Sequence, residues 1–556
     1  MPWDDGRVPD LVAAGHAALA EGRWKVAAEA FEAAMAREAT AEVLHGLGTA
    51  LWWSGEYRRH VELVTAAYAA YRRERDDAGA VLAALDLCAT YKSNYGDHAV
   101  AGGWVRRAQR LVDAAGPLQA WVWMMTAYHA PDDPQALDLA RRSLDAGRRD
   151  GDVDLELCAL SALGHALVVH GRVEEGLRCI DEAMAGALAR ECAQLVTTVY
   201  ICCDMLDACE AGGDLRRANQ WCRVAEDFTA RYGSPYLFVR CRVLYGMVLA
   251  RGGELVRAEG ELRAALDAVD GAGPAWRAQV LARLADVRLR RGDVEEAESL
   301  VLQCGGNTVA VEAAAAVHLA RGEPAAAVAV LERGLRGVHG RRAAALYSSL
   351  VVACLGAGEA ERAAAAAAEL ADLAVAHPVP DVEAAAALAA GRVAAARGSS
   401  DDAVPDLERA VAGLIAGDAT LDAARARMEL ARALAGIRPE AAIAEARAAL
   451  SCFDDAGAVP DADAAAALLR SLGVTGRTGP RDVGVRSERE RQVLRLVALG
   501  LSNPEIADRL HISRKTAAHH VSHLLTKLGL PNRAAAAVHA SRMGHLDGER
   551  EPRHGR

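Results

Sequence analysis

The chain has 556 residues, with 64 Lys and Arg against 75 Asp and Glu, a formal charge of −11, and 52% hydrophobic but only 4% aromatic residues. That length supports several cores or one long solenoid, and an acidic total excludes a body that holds nucleic acid by its global charge. Few aromatics in an alanine-rich chain point to closely packed helices and away from sandwiches and barrels.

No basic and apolar leader opens the chain, and no stretch of about eighteen apolar residues runs without a charge, so the expectation is a cytoplasmic protein. The 12 cysteines are scattered without a Cys-x-x-Cys pair and read as reduced, buried thiols.

From the amino end a short cue recurs: glycine, a polar residue, an apolar one, then an Ala-rich amphipathic run. It falls at Gly22, Gly55, Gly96, Gly171, Gly213, Gly253, Gly292, Gly322, Gly358, Gly398 and Gly436, and a Pro-containing stretch near Asp132 stands for the fourth. The 414 positions from Gly22 to Gly436 over eleven intervals give about 38 residues a unit. Seven residues before the cue a second glycine is frequent (Gly15, Gly48, Gly164, Gly246, Gly391), and five after it an alanine (Ala27, Ala218, Ala258, Ala297, Ala327, Ala363, Ala403). Small residues at both offsets let two antiparallel helices approach. Large apolar residues nine after the cue fill the layer beneath: Phe31, Val64, Ile180, Leu262, Val301 and Leu407.

With Gly15, Gly22, Trp24, Ala27, Phe31 and Ala34 all in place, the first unit resembles the tetratricopeptide repeat. The resemblance implies roughly twelve helical hairpins, each touching only its neighbours, stacked into a superhelix whose concave face takes up a partner. Aromatic candidates for holding a protein or small-molecule partner there are Trp52, Trp53, Trp104, Trp121 and Trp123, with Tyr57 and Tyr91; the competing reading places each in the helical core. Adjacent Trp52 and Trp53 cannot both face inward, so one is wedged between units or partly exposed. The alanine runs 363–368 and 384–387 read as thin, tightly packed helices.

Between Ser471 and Arg486 the pattern lapses at Gly473, Gly476, Gly479, Pro480 and Gly484, which marks a flexible linker. Helix signals then return. Ser487 and Glu490 form a capping box, and Ser502 and Glu505 form another, with Pro504 in the first turn. Ser513 caps a third helix that Gly529 ends, and Pro531 or Asn532 opens a fourth. Val493, Leu496 and Val497, Ile506 and Leu510, and Val521, Leu524, Leu525 and Leu528 fall at helical spacing. Only a short turn separates Leu510 from Ser513, which makes a helix-turn-helix.

The residues Arg489-Glu490-Arg491, Val493-Leu494, Gly500-Leu501-Ser502-Asn503, Glu505-Ile506-Ala507, Leu510, Ile512-Ser513, Thr516, His520, Lys527-Leu528-Gly529, Asn532-Arg533 and Ala535 follow one another without a gap. This stretch resembles the C-terminal DNA-binding domain of LuxR-type response regulators. The resemblance implies that the helix from Arg514 lies in the major groove of double-stranded DNA. Positions matching Ala518, His519 and Ser522 meet bases; those matching Thr516, Lys527 and Arg533 meet the backbone or hold the fold; Arg514 and Lys515 face outward, and Asn503 completes the set. Ala518 departs from the family, which usually carries a basic residue there, and costs about one phosphate contact.

Residues 485–547 hold ten Lys and Arg against five acids, a net +5 that leaves −16 on the remainder. A basic module on an acidic body is a local footprint for phosphate. His519 and His523 stand four apart, but no Cys or close carboxylate joins them, and no metal is expected. The four lysines, Lys25, Lys92, Lys515 and Lys527, never follow a glycine, so a phosphate-cradling P-loop is excluded. No catalytic constellation is present, and neither enzyme activity nor a cofactor is expected.

The expected fold is all-α: a tetratricopeptide-like α-solenoid of helical hairpins followed by a small four-helix helix-turn-helix domain. Its expected parts are a repeat domain at 1–470, a linker at 471–486, the DNA-binding domain at 487–547 and a tail at 548–556. The function expected is a DNA-binding transcription regulator acting as a homodimer on two half-sites. The alternative is a protein-interaction scaffold with a weak DNA module.

Overall fold

The computed structural model describes residues 7–112, 116, 118–338, 340–474, 496–497, 499, 501–510, 514 and 521. Among these there are helices and turns and no strand. By internal contacts the chain divides into two units, Met1–Glu445 and Ala446–Arg556.

The first unit is a tetratricopeptide-like stack of helical hairpins. It begins with Val8–Ala20 and Trp24–Met35, continues with Ala41–Trp53 and Tyr57–Glu74, and runs on to Pro380–Ala396 and Ser400–Ala416. Each cue glycine sits in the turn between two helices of a hairpin. Ten of them hold positive φ, from +71° at Gly96 to +91° at Gly292, where a side chain would strain the backbone. The glycine seven before the cue meets the large residue nine after it. A Cβ on Gly15 would lie 2.7 Å from the Phe31 ring, one on Gly48 2.6 Å from Val64, and one on Gly391 2.6 Å from Leu407. The alanines five after the cue, from Ala27 to Ala403, are fully buried. Val301 departs from the pattern. It is only partly buried, because the helix Val294–Gln303 ends two residues later, and Leu300 takes the inner place.

The expectation that each hairpin touches only its neighbours is wrong. Trp24 donates from its indole to the Tyr232 carbonyl at 2.6 Å, and the Tyr57 hydroxyl donates to the Gly271 carbonyl at 3.0 Å. Asn94 donates to the Ala272 carbonyl at 3.0 Å, and Trp276 to the Ser93 carbonyl at 2.9 Å. Further along, Arg216 reaches Asp418 at 2.6 Å and Arg290 reaches Asp422 at 2.9 Å. Hairpins about five units apart therefore press together, so successive turns of the solenoid are in contact. Gly273 marks the tightest approach: at φ +106°, a Cβ there would stand 2.5 Å from the Asn94 carbonyl oxygen. Nine of the 12 cysteines are buried.

The second unit holds the remainder of the helix Pro439–Ala456, the helix Val459–Ser471, and, in its last part, the helix Asn503–Leu510.

Candidate nucleic-acid interface

The helix Asn503–Leu510 starts where its sequence signals place it. Ile506 N–H donates to the Ser502 carbonyl at 2.9 Å, which makes Ser502 the N-cap. The Glu505 carboxylate reaches back to accept from the Ser502 amide at 2.6 Å. The Ser502 hydroxyl also donates to Glu505, at 2.6 Å. One carboxylate oxygen thus gathers both donors, and its charge sits at the positive end of the helix.

Ile506 and Ala507 are buried, as are Leu496, Val497 and Val521. Helical spacing assigns Leu496, Val497, Ile506 and Val521 to the inner face; Leu510, assigned with them, is only partly buried. Arg509 and Arg514 are exposed, and Arg514 is helical. An exposed guanidinium is suited to meet a phosphate or the edge of a guanine. Of the nine residues expected on DNA, Asn503 and Arg514 are therefore located, with Asn503 partly exposed at the first helical position. Lys515, Thr516, Ala518, His519, Ser522, Lys527 and Arg533 lie outside the described residues, as do the caps at Ser487 and Ser513, the stop at Gly529, the start at Pro531 or Asn532, and His523.

The five tryptophans expected to hold a partner separate into two groups. Trp52, Trp53 and Trp121 line one cavity of about 420 Å³ in the first unit. Trp53 is buried and stacks on Trp24 with ring centroids 4.2 Å apart, while Trp52 stands edge-on to it at 5.2 Å. This is the division expected of two adjacent tryptophans. Trp104 instead packs edge-on against Tyr68, and Trp123 lies under the Arg142 guanidinium at 4.0 Å. Sequence reading missed Asp86, Tyr128, Tyr200 and Tyr236, which join the cavity wall. They stand on four different helices, and no short spacing links them.

Residues 486–540 match the family described as bacterial regulatory proteins, luxR family. Among curated relatives, the nitrate/nitrite response regulator protein NarL of Escherichia coli (strain K12) is 45% identical over 71 residues, 13% of this chain and 33% of that protein. The DNA-binding transcriptional activator DevR/DosR of Mycobacterium tuberculosis is 40% identical over 84 residues, 15% of this chain and 38% of that protein. The chain thus spans little more than a third of the length of these relatives. Similar solved structures include the APC/C hetero-tetramer Cut9–Hcn1, with a TM-score of 0.41, 14% identity, and cover of 84% of this chain and 96% of that one. A tetratricopeptide repeat protein from Parabacteroides merdae ATCC 43184 gives a TM-score of 0.33 and 18% identity over 46% of this chain and 92% of that one. The family match falls on the residues whose caps and apolar spacing announce two helices and a tight turn, and the C-terminal stretch of this chain is a helix-turn-helix domain of the luxR family.

Proposed function

We propose that this protein is a DNA-binding transcription regulator in which the helical repeat region takes up a signal and residues 487–547 read promoter DNA. The observation that carries this reading is the luxR-family match at 486–540 on a basic module of an acidic chain. Arg514, exposed at the start of the expected recognition helix, is the residue on which its electrostatics turn. Lys515, Lys527 and Arg533 add phosphate contacts, and Ala518, His519 and Ser522 meet base edges. Such a module buries limited surface alone, so two copies on two half-sites supply the specific affinity. This reading places the protein in the cytoplasm with its DNA; no described helix is long and apolar enough to cross a membrane.

The test is a fluorescence-anisotropy titration of the full chain with genomic DNA fragments across a series of salt concentrations. Binding should weaken steeply with salt, and Arg514→Ala should flatten the log–log slope by about 0.9, one phosphate's worth. Absence of binding at low salt would end this reading. It would favour a protein-interaction scaffold, for which Ala518 in place of the family's basic residue is the supporting observation.

A further inference from the structure

The cavity bounded by Trp52, Trp53 and Trp121 is about 420 Å³, inside the roughly 300–1,000 Å³ range of small-molecule sites. Tyr128, Tyr200 and Tyr236 complete its aromatic wall. The polar tips of most of these rings are engaged within the protein. Trp52 donates to Asn94 at 3.2 Å and Trp121 to Asp152 at 3.1 Å. The Tyr128 hydroxyl lies 3.0 Å from that of Ser93, and the Tyr236 hydroxyl accepts from Arg240 at 3.2 Å. What remains for an occupant is ring surface rather than donors.

The charges around the cavity do not balance. No Lys or Arg is in its wall, whereas the Asp86 carboxylate is, with 27% of its side chain exposed. The His45 ring stands 3.5 Å from Asp86 and the His60 ring 3.8 Å. Behind the wall, Lys92 lies 3.5 Å over the Tyr128 ring, and Arg240 pairs with Asp207 at 2.5 Å. Asp204 accepts from Ser161 at 2.9 Å and sits 3.0 Å from the His165 ring; Asp154 accepts from the Ala193 and Gln194 amides and the Thr197 hydroxyl. Around the cavity and behind its wall, two fixed cations, Lys92 and Arg240, are thus outnumbered by four carboxylates: Asp86, Asp154, Asp204 and Asp207. Aromatic faces attract a cation through their quadrupole, and here the surplus charge has the matching sign.

The cavity is also tied to the contact between turns. The chain from Tyr91 to Tyr95 is a π-helical turn, a form that inserts one residue and often marks a functional site. It carries Asn94, which is fully buried, accepts from Trp52 in the cavity wall and donates to the Ala272 carbonyl on the next turn.

We propose that this cavity binds a small organic cation, a flat apolar body bearing a protonated amine or quaternary ammonium seated against Asp86. The site rests on the reading of the repeat region as the part that takes up a signal, and it gives that signal a chemical class. Asn94 then links occupancy of the cavity to the contact between solenoid turns.

The test is calorimetric titration of the full chain with three probes of one shape: 1-naphthylmethylammonium, 1-naphthylmethanol and 1-naphthoate. The ammonium probe should bind about tenfold tighter than the alcohol, and the carboxylate should not bind. Asp86→Asn should bring the ammonium probe to the affinity of the alcohol. Val196→Trp, at a partly exposed position of the wall, should fill the cavity and remove binding of both. Should Val196→Trp fail to fold, the charge series with Asp86→Asn decides alone. Equal affinity for the three probes, absence of binding by all of them, or an unchanged ammonium preference in Asp86→Asn would overturn the proposal. The same preparation titrated with DNA separates the two readings: DNA binding without probe binding removes the cavity site and leaves the regulator, and probe binding without DNA binding does the reverse.

Discussion

Residues 8–290 and residues 311–434 repeat the same hairpin around two different interiors. The earlier region holds eight of the nine tryptophans, the last of them Trp276, and ten of the eleven tyrosines. Every buried polar side chain among the described residues also lies there, from His60 to Glu259. The later region closes on Ala, Val and Leu: Ala327, Leu331, Val351, Ala363, Leu370 and Leu407 are buried, and its charged pairs run from Arg362 with Glu332 on the surface to Arg392 with Glu429, partly buried. Alanine helices approach until no space is left between them. Aromatic and polar side chains hold helices further apart and leave a cavity with chemistry in its wall. The hairpin geometry is therefore general, and the cavity walled by Trp52, Trp53 and Trp121 lies in the earlier interior.

The sharpest way to break this contrast is to remove a charge from the earlier region. Arg240 is buried, pairs with Asp207, bonds the Tyr236 hydroxyl and stacks over the Trp276 ring at 5.2 Å. Arg240→Leu leaves the Asp207 carboxylate without its partner and should cost about 3 kcal/mol. Because every tryptophan precedes residue 277, urea unfolding followed by tryptophan fluorescence reports this region and should move to lower denaturant. Leu407→Ala is the matched change in the later region. It opens a void against Gly391 in an interior with little freedom to collapse, at a cost of about 2–3 kcal/mol. Its signature should be a shift in the circular-dichroism transition with the tryptophan transition in place. If both probes move together for both variants, the solenoid unfolds as one cooperative body, and the distinction between interiors has no thermodynamic meaning.

What the sequence makes legible follows from range. The contacts of Gly15 with Phe31 and of Gly391 with Leu407 span sixteen residues, inside one repeat, so a fixed offset announces them. The Ser502–Glu505 cap spans three. Trp24 to Tyr232, Tyr57 to Gly271 and Asn94 to Ala272 span 178 to 214 residues and carry no period, because they depend on the pitch accumulated over several hairpins. The cavity was half legible for the same reason. Tryptophan is conspicuous in a chain with few aromatics, so Trp52, Trp53 and Trp121 stand out. Asp86 looks like an ordinary polar residue of a helix, and so does Asn94 until the next turn buries it.

The smallest effect tests the boundary between the two regions. Glu259 sits among Arg263, Arg288 and Arg291, with its Oε1 2.9 Å from Arg288. Burial alone would raise the Glu259 carboxyl, but the hydrogen bond from Arg263 and the charges of Arg291 and Arg288 outweigh it and hold the group below its ordinary value. A carboxyl depressed in the folded state stabilises fully above its unfolded value and loses that contribution as pH falls through the folded one. Glu259→Gln should therefore cost about 1 kcal/mol at pH 7, a modest figure because Arg263 is about half exposed. The gap between variant and parent, read from urea midpoints, should close as pH drops below the ordinary glutamate range. A gap that persists in acid would mean that Glu259 acts by its shape and not by its charge, and that the arginines around it are held by one another's packing.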